Sequence, residues 1–393
     1  SWGANASGQL GLNHTTPENV PFTVLALTDA VYAWRGLDHS MAIRADGTLF
    51  TWGENEFGET GDGNSPTDLL SPVSVLTGVI AAQGGLDHTV ALKQDGSVWT
   101  WGDNTSHQLG DLSGGRDTPL QVSAGVFATQ VSAGGLHGMS LLTDGSVLTW
   151  GANGSDQLGD NGACGATCTG PISAFSDAVA IAAGAFHSLA LKSDGTVWAW
   201  GVNNLGQLGD GNSPTQSGVA VQVTGLTGIV AIAAGADHSL ALKSDGTVWA
   251  WGYNAQGQLG DAGVCGTSCD VPVQIPGISG AIGIGTGYAH SMVLLADADG
   301  DGLEDVLETA LGTDINKADT DDDGISDFDE VNVDGNPANY TFGTDYDPNN
   351  PDTDGDGVSD GAEVQHGTDP LNSSDVPSPL RVSVTSGGTE GDG

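Results

Sequence analysis

The chain has 393 residues, 63 of them glycine, and carries 50 acidic against 8 basic side chains, a formal charge of −42. So much glycine, with only 15% charged residues, describes short strands and turns rather than long helices. That charge repels a phosphate backbone and argues against nucleic acid as a partner, and no apolar run of ~18 residues offers a membrane-inserting helix.

The sequence opens at Ser1-Trp2-Gly3 without an initiator methionine and reads as a piece of a longer chain flanked by further domains. Repeats follow at once. Trp-Gly recurs at Trp2, Trp52, Trp101, Trp150, Trp200 and Trp251, and Gly-x-x-His at His39, His88, His137, His187, His238 and His290. Between them an Asp-Gly pair stands at Asp46, Asp95, Asp144, Asp194 and Asp245, and "HSLALKSDGTVWAWG" occurs unchanged at 187–201 and 238–252. "HSLALKS" and "TVWAWG" read as strands joined through Asp-Gly, a pair that favours a tight type I′ hairpin. Apolar runs such as "GIVAIAAG" and "SGVAVQV" supply two more strands. The expected fold is all-β: a β-propeller of six visible four-stranded repeats, with six blades or seven if an upstream repeat is missing.

A residue present once per repeat is explained by structure rather than catalysis. Each histidine is therefore expected to bond a nearby group, such as a backbone atom, and each tryptophan to pack between blades. A metal ring of six histidines would need all of them to converge on the axis. These elements, with Trp-Gly-x-Asn and Gly-Gln-Leu-Gly, resemble the repeat of the regulator of chromosome condensation family over residues 1–295. The resemblance implies a propeller, commonly of seven blades, and leaves function open. The last unit, "GTGYAHSMVLLAD", stops where a "TVWAWG" strand is due, so "SWGANASGQLG" at the N-terminus is expected to complete it and close the ring.

The four cysteines pair as Cys164/Cys168 and Cys265/Cys269 in the same inter-strand loop of two repeats. Two local disulfides fit them better than a zinc site and imply an oxidising compartment. From 297 onward the composition shifts to 26 acidic and two basic residues, a net −24. Three 12-residue windows lie there: "DADGDGLEDVLE" (297–308), "DTDDDGISDFDE" (319–330) and "DTDGDGVSDGAE" (352–363). Calcium takes six to eight oxygens, and these windows offer carboxylates at positions 1, 3, 5 and 9, a backbone carbonyl at 7 and a bidentate Glu at 12. The candidate ligands are Asp297, Asp299, Asp301, Leu303, Asp305 and Glu308 in the first window. In the second they are Asp319, Asp321, Asp323, Ile325, Asp327 and Glu330, and in the third Asp352, Asp354, Asp356, Val358, Asp360 and Glu363. Position 6 is Gly in all three, as the sharp turn requires. Helix-like pieces follow at "LEDVLETALG" and "SDGAEVQHG", but no helix precedes the first loop as in an EF-hand. "GTDYDPNNPDTDGDGVSDGAE" resembles thrombospondin type 3 repeats of bacterial surface proteins, calcium-dependent stalks. That resemblance implies ligand roles for Asp314, Asp345 and Asp369 as well.

The expected organisation is a propeller over 1–296, a loop-rich calcium stalk over 297–370, and a linker or tail over 371–393. The expected function is an extracellular or cell-surface recognition and adhesion module that is not an enzyme. Its propeller would bind a protein or glycan through loops such as "ENEFGETGDG", "DNTSHQLGDLSGGR" and "ANGSDQLGDNG". The alternatives are a structural subunit of an extracellular assembly and a glycan-active enzyme. His14, His107 and His366 lack evident catalytic partners in the sequence.

Overall fold

The computed structural model describes residues 1–24, 27–122, 127–336, 340–341 and 343–377; the expected tail beyond residue 377 lies outside them. Contacts divide the chain after Leu294 into two compact units.

The first unit builds successive antiparallel sheets. In the first sheet β1 (Ala30–Arg35), β2 (His39–Arg44), β3 (Leu49–Gly53) and β4 (Leu69–Leu76) pair in chain order. Four further four-stranded sheets begin at Val79, Ala128, Ala178 and Ile229. In a sixth, Ala281–Thr286 pairs with Ser291–Leu295. This is the all-β propeller that the repeats imply. The innermost strands surround a central channel of about 760 Å³, lined largely by small residues such as Gly84, Gly134, Ala183 and Gly235. Second strands such as His187–Lys192 are buried at five successive positions. A blade interior is covered on both faces, so these strands need not alternate apolar with polar.

The hairpin differs from the expected type. Gly47 has φ +80°, whereas Asp46 does not adopt positive φ. The Gly47 amide donates to Arg44 O at 2.9 Å and the Arg44 amide to Thr48 O at 3.0 Å. This is a three-residue loop, a turn followed by a left-handed glycine, rather than a type I′ pair. Asp46 serves it through its side chain, which accepts the Thr48 amide at 2.9 Å.

Five of the repeat histidines, His39, His88, His137, His187 and His238, are buried while His290 is exposed, and four of the buried ones bind across blades, to a hydroxyl rather than to backbone. His39 Nε2 meets Thr89 Oγ1 at 3.0 Å, and His137, His187 and His238 meet Ser188, Ser239 and Ser291 at 3.0, 3.0 and 3.1 Å. Each hydroxyl spends its proton on a main-chain carbonyl: Thr89 on Glu59, Ser188 on Gln157, Ser239 on Gln207 and Ser291 on Gln258. The histidine must therefore donate, which sets the tautomer with hydrogen on Nε2. The glycine three residues earlier makes room for the ring, since a Cβ on Gly184 would stand 2.2 Å from His187 Cε1. His88 has no partner at either ring nitrogen; the residue in the hydroxyl column of the next repeat is Gly138. A side chain at Gly138 would meet Trp150 at 2.3 Å. Replacing His187 by Ala removes a buried donor and opens a cavity. The expected loss is about 2–4 kcal/mol at neutral pH, read as a lower thermal midpoint.

Each tryptophan of Trp-Gly closes the same boundary from the other side. The Trp52, Trp101, Trp150, Trp200 and Trp251 indoles donate to the carbonyls of Gln9, Glu59, Gln108, Gln157 and Gln207 at 2.8–3.0 Å. The N-terminal segment thus docks on the first sheet as every Gly-Gln-Leu-Gly loop docks on the next blade. It does not complete the last sheet among the described residues. Gly3 instead bridges Glu18, and Trp2 is 64% exposed.

Disulfides join Cys164 to Cys168 and Cys265 to Cys269. In each loop the preceding aspartate turns the chain. Asp160 accepts the Cys164 amide at 2.5 Å and Asp261 the Cys265 amide at 2.6 Å. In "GDGNSPT" repeats, Asp62 and Asp210 accept the main-chain and side-chain amides of Asn64 and Asn212 in that place.

In the second unit three short helices follow the acidic windows: α1 (Asp305–Leu311), α2 (Asp327–Val331) and α3 (Asp360–His366). Ser326 and Ser359 cap α2 and α3 through their hydroxyls. Helix α2 has no sequence signature, because the five residues "DFDEV" carry neither helical periodicity nor a glycine stop.

Candidate metal centres

Each acidic window folds into a loop whose own amides aim its carboxylates. The position 6 amide donates to the position 1 aspartate: Gly302 to Asp297, Gly324 to Asp319 and Gly357 to Asp352, at 3.3, 3.0 and 2.9 Å. These glycines have φ of +106°, +102° and +97°, which side-chain-bearing residues rarely adopt. The position 7 amides of Leu303, Ile325 and Val358 donate to Asp301, Asp323 and Asp356 at 2.8–2.9 Å. Positions 1, 3 and 5 thereby converge. One carboxylate oxygen from each of Asp297, Asp299 and Asp301 lies within 4.8 Å of the others, and the same holds for Asp319, Asp321 and Asp323 and for Asp352, Asp354 and Asp356.

Beside each triplet stands a glutamate at position 12. Glu308, Glu330 and Glu363 are completely buried, yet neither carboxylate oxygen of any of them has a hydrogen-bond partner. Burial, then the charges of Asp299 and Asp301, pushes the Glu308 carboxyl up to about 7. Burial, then Asp321 and Asp323, pushes Glu330 up to about 9. Glu363 is raised for the same reasons, with Asp354 and Asp356 as its neighbours. Buried carboxylates facing other carboxylates are costly unless a cation joins them. Hard oxygen donors alone, with no sulfur or nitrogen, suit calcium.

The structure gives position 9 a second task. Asp327 accepts the Thr320 amide and hydroxyl, both at 2.7 Å, and Asp360 accepts those of Thr353 at 2.9 and 2.6 Å. Asp305 accepts the Ala298 amide at 2.7 Å. These side chains brace loop position 2 and are not among the clustered oxygens. Asp345, implicated by resemblance, has both oxygens on the Asp334 and Thr341 amides. Asp314 and Asp369 each accept an amide two residues on. The sequence also hid bonds between loops. Asp301 accepts the Phe328 amide at 3.0 Å and Asp323 the Gly361 amide at 2.6 Å, so position 5 of one loop holds the start of the next helix. Gly361 is the one signal for this, since a Cβ there would meet the Asp323 carbonyl.

A model of the RCC1-like domain matches residues 1–304. The chain belongs to the RCC1-like domain family. A bacterial TSP3 repeat model matches residues 297–318 and 352–373, which contain the first and third acidic windows. Among curated proteins the chain is 38% identical over 76 residues to the protein RCC2 homolog of Danio rerio, 19% of this chain and 15% of that one. It is 38% identical over 74 residues to the ultraviolet-B receptor UVR8 of Arabidopsis thaliana, 18% of this chain and 17% of that one. The matched stretch thus spans about a sixth of these relatives' length. Human WBSCR16 aligns with a TM-score of 0.66 and 22% identity, covering 75% of this chain and 80% of that one. Prp20p of Saccharomyces cerevisiae aligns with a TM-score of 0.64 and 20% identity, over 76% and 78% of the two chains. At these identities the likeness is one of fold.

Within the RCC1-like domain no histidine joins a metal-ligand cluster among the described residues. Two of the lone histidines have partners, while His107 Nδ1 is buried without one. His14 Nδ1 meets Thr16 Oγ1 at 2.7 Å with Glu18 3.7 Å from its Nε2, and His366 Nδ1 meets the Ala362 carbonyl of its own helix at 2.6 Å.

Proposed function

We propose that the chain is an extracellular calcium-binding recognition module, in which the propeller (1–296) binds a protein and the acidic loops (297–370) form a calcium-ordered stalk. The observation that carries the calcium half is the set of three buried, unpartnered glutamates, each beside a clustered aspartate triplet. In each loop, positions 1, 3 and 5 and the position 12 glutamate hold the ion, with the position 7 carbonyl adding an oxygen and position 9 acting through a water or as a brace. Disulfides together with calcium support a location outside the cell. Support for a protein partner comes from a fold neighbour: Prp20p is described by its binding to Gsp1p and histones. The loops that differ most among repeats expose Phe57 and Leu112, the latter 79% accessible. The loop that exposes Phe57 also carries Glu54, Glu56 and Asp68, a composition that suits a basic protein surface with an apolar centre.

The test is an array of extracellular proteins and glycans probed with the full chain, with calcium and with chelator. The expected result is saturable, salt-sensitive binding to proteins, weakened at least tenfold by Phe57→Ala with Leu112→Ala. Binding confined to glycans, or turnover of a spotted substrate, would replace this reading.

A further inference from the structure

One position in the Gly-Gln-Leu-Gly column breaks the pattern. The glutamines are Gln9, Gln108, Gln157, Gln207 and Gln258, and the second repeat has Glu59. All six side chains do one thing alike. Their carbonyl or carboxylate oxygen accepts the amide two residues earlier, at 2.8 Å from Phe57 in the case of Glu59. The difference is at the other atom. Gln9 Nε2 donates to Asp38 at 2.9 Å and Gln207 Nε2 to Asp237 at 3.1 Å, the aspartate just before the repeat histidine. In the second boundary the corresponding aspartate is Asp87, and the atom facing that column is a carboxylate oxygen with no hydrogen to give.

Glu59 is completely buried and its Oε1 has no hydrogen-bond partner. A third acid joins it: one oxygen each of Glu54, Glu59 and Asp87 lie within 4.8 Å of one another. The charges that act most strongly on these three groups are other acids, Asp38, Glu56, Asp68 and Asp103 besides themselves. Burial, and beyond it the charges of Glu54 and Asp87, pushes the Glu59 carboxyl up to about 7. The Glu59 main chain meanwhile belongs to the blade boundary, since its carbonyl accepts both the Thr89 hydroxyl and the Trp101 indole.

We propose that Glu54, Glu59 and Asp87 hold a divalent cation, calcium by their all-oxygen donor set, between the first and second blades. The ion stands where an amide NH₂ stands in sister repeats, and joins the same two columns by charge instead of by hydrogen bond. This site is separate from the acidic loops and does not depend on their function.

Tryptophan-sensitised terbium luminescence of the full chain tests it. All ten tryptophans lie between residues 2 and 251, so the acidic loops carry none of their own, while Trp101 touches Glu59. The expected result is a saturable emission that calcium displaces. It should fall at least fivefold in Glu59→Gln, which restores the column's own residue, and in Asp87→Asn. It should persist in Glu363→Gln. Glu59→Gln should also lose the calcium-dependent part of the propeller's thermal midpoint while matching or exceeding the parent's midpoint in chelator. Emission unchanged in Glu59→Gln and Asp87→Asn, or lost equally in Glu363→Gln, overturns the assignment. So does an absence of saturable emission, which would leave a shared proton as what joins the carboxylates.

Discussion

Removing calcium is expected to unfold residues 297–377 while the propeller sheets persist. Without the ion each loop sets four or five carboxylates against one another, three of them within 4.8 Å, and buries a glutamate with no partner. The helices cannot hold the loops, because α1, α2 and α3 have seven, five and seven residues and helices that short are unstable alone. Each site filled to a hundred times its dissociation constant contributes about 2.7 kcal/mol. Three such sites amount to about 8 kcal/mol, comparable with the whole stability of a small domain. Chelator should therefore enlarge the radius of gyration in small-angle scattering and open this segment to protease. The loops should also fail together. Asp301 holds the start of α2 and Asp323 the start of α3, so loop two is tied to both neighbours. Glu330→Gln should weaken calcium binding at more than one site, by tenfold or more, whereas Glu363→Gln should affect mainly its own. Independent titration of three sites in Glu330→Gln would contradict this coupling.

The propeller, in turn, is expected to lose stability steeply in acid. Burial pushes His39, His137 and His187 down to about 3, and His88 and His238 to about 4. An unfolded histidine binds a proton below about 6.5, while these folded ones refuse it until far lower. The unfolded state therefore binds more protons throughout that window, and stability falls as pH drops. At pH 5 the difference is about 2 kcal/mol for each histidine. Glu54, Glu59 and Asp87 pull the other way, because burial raises their carboxyls, but they are three groups against five. With saturating calcium, the tryptophan-monitored thermal midpoint should fall continuously from pH 6.5 to pH 4. His187→Ala, already less stable at neutrality, should show a shallower fall. A midpoint that stays flat to pH 4 would mean that the rings accept protons in place.

Much of this architecture could be read from residue order. The strands and their grouping into repeated antiparallel sheets follow from columns that repeat every fifty residues, and the calcium windows from a spacing that no acidic linker needs. What escaped the reading depends on contacts between repeats. The hydroxyl that meets His187 is Ser239, 52 residues on, and a column of serines beside histidines does not say which histidine each one serves. Asp-Gly suggests a two-residue turn because the pair favours one, yet the residue before it, Ala45 in the first repeat, joins the loop. Position 9 looked like a ligand by spacing, but a threonine or alanine at position 2 brings an amide within its reach. Glu59 stood in plain view as the odd member of a glutamine column, and only the fold shows Asp87, 28 residues later, across the boundary from it.

The cross-blade bonds also bear on how such a gene can change length. Three boundaries are closed by a carbonyl and a histidine from one repeat and by a hydroxyl and an indole from the next, so the units that meet there present a standard left side and a standard right side. Repeats that share both sides could be exchanged, duplicated or deleted in register without redesigning a neighbour, and the unbroken copy at 187–201 and 238–252 shows how alike two such units are. The boundary between the first and second blades is marked by Glu59, and the next by His88 and Gly138. A crossover there would separate an acidic trio or give an unpaired histidine a hydroxyl, so those units have lost their interchangeability and hold fixed places in the order.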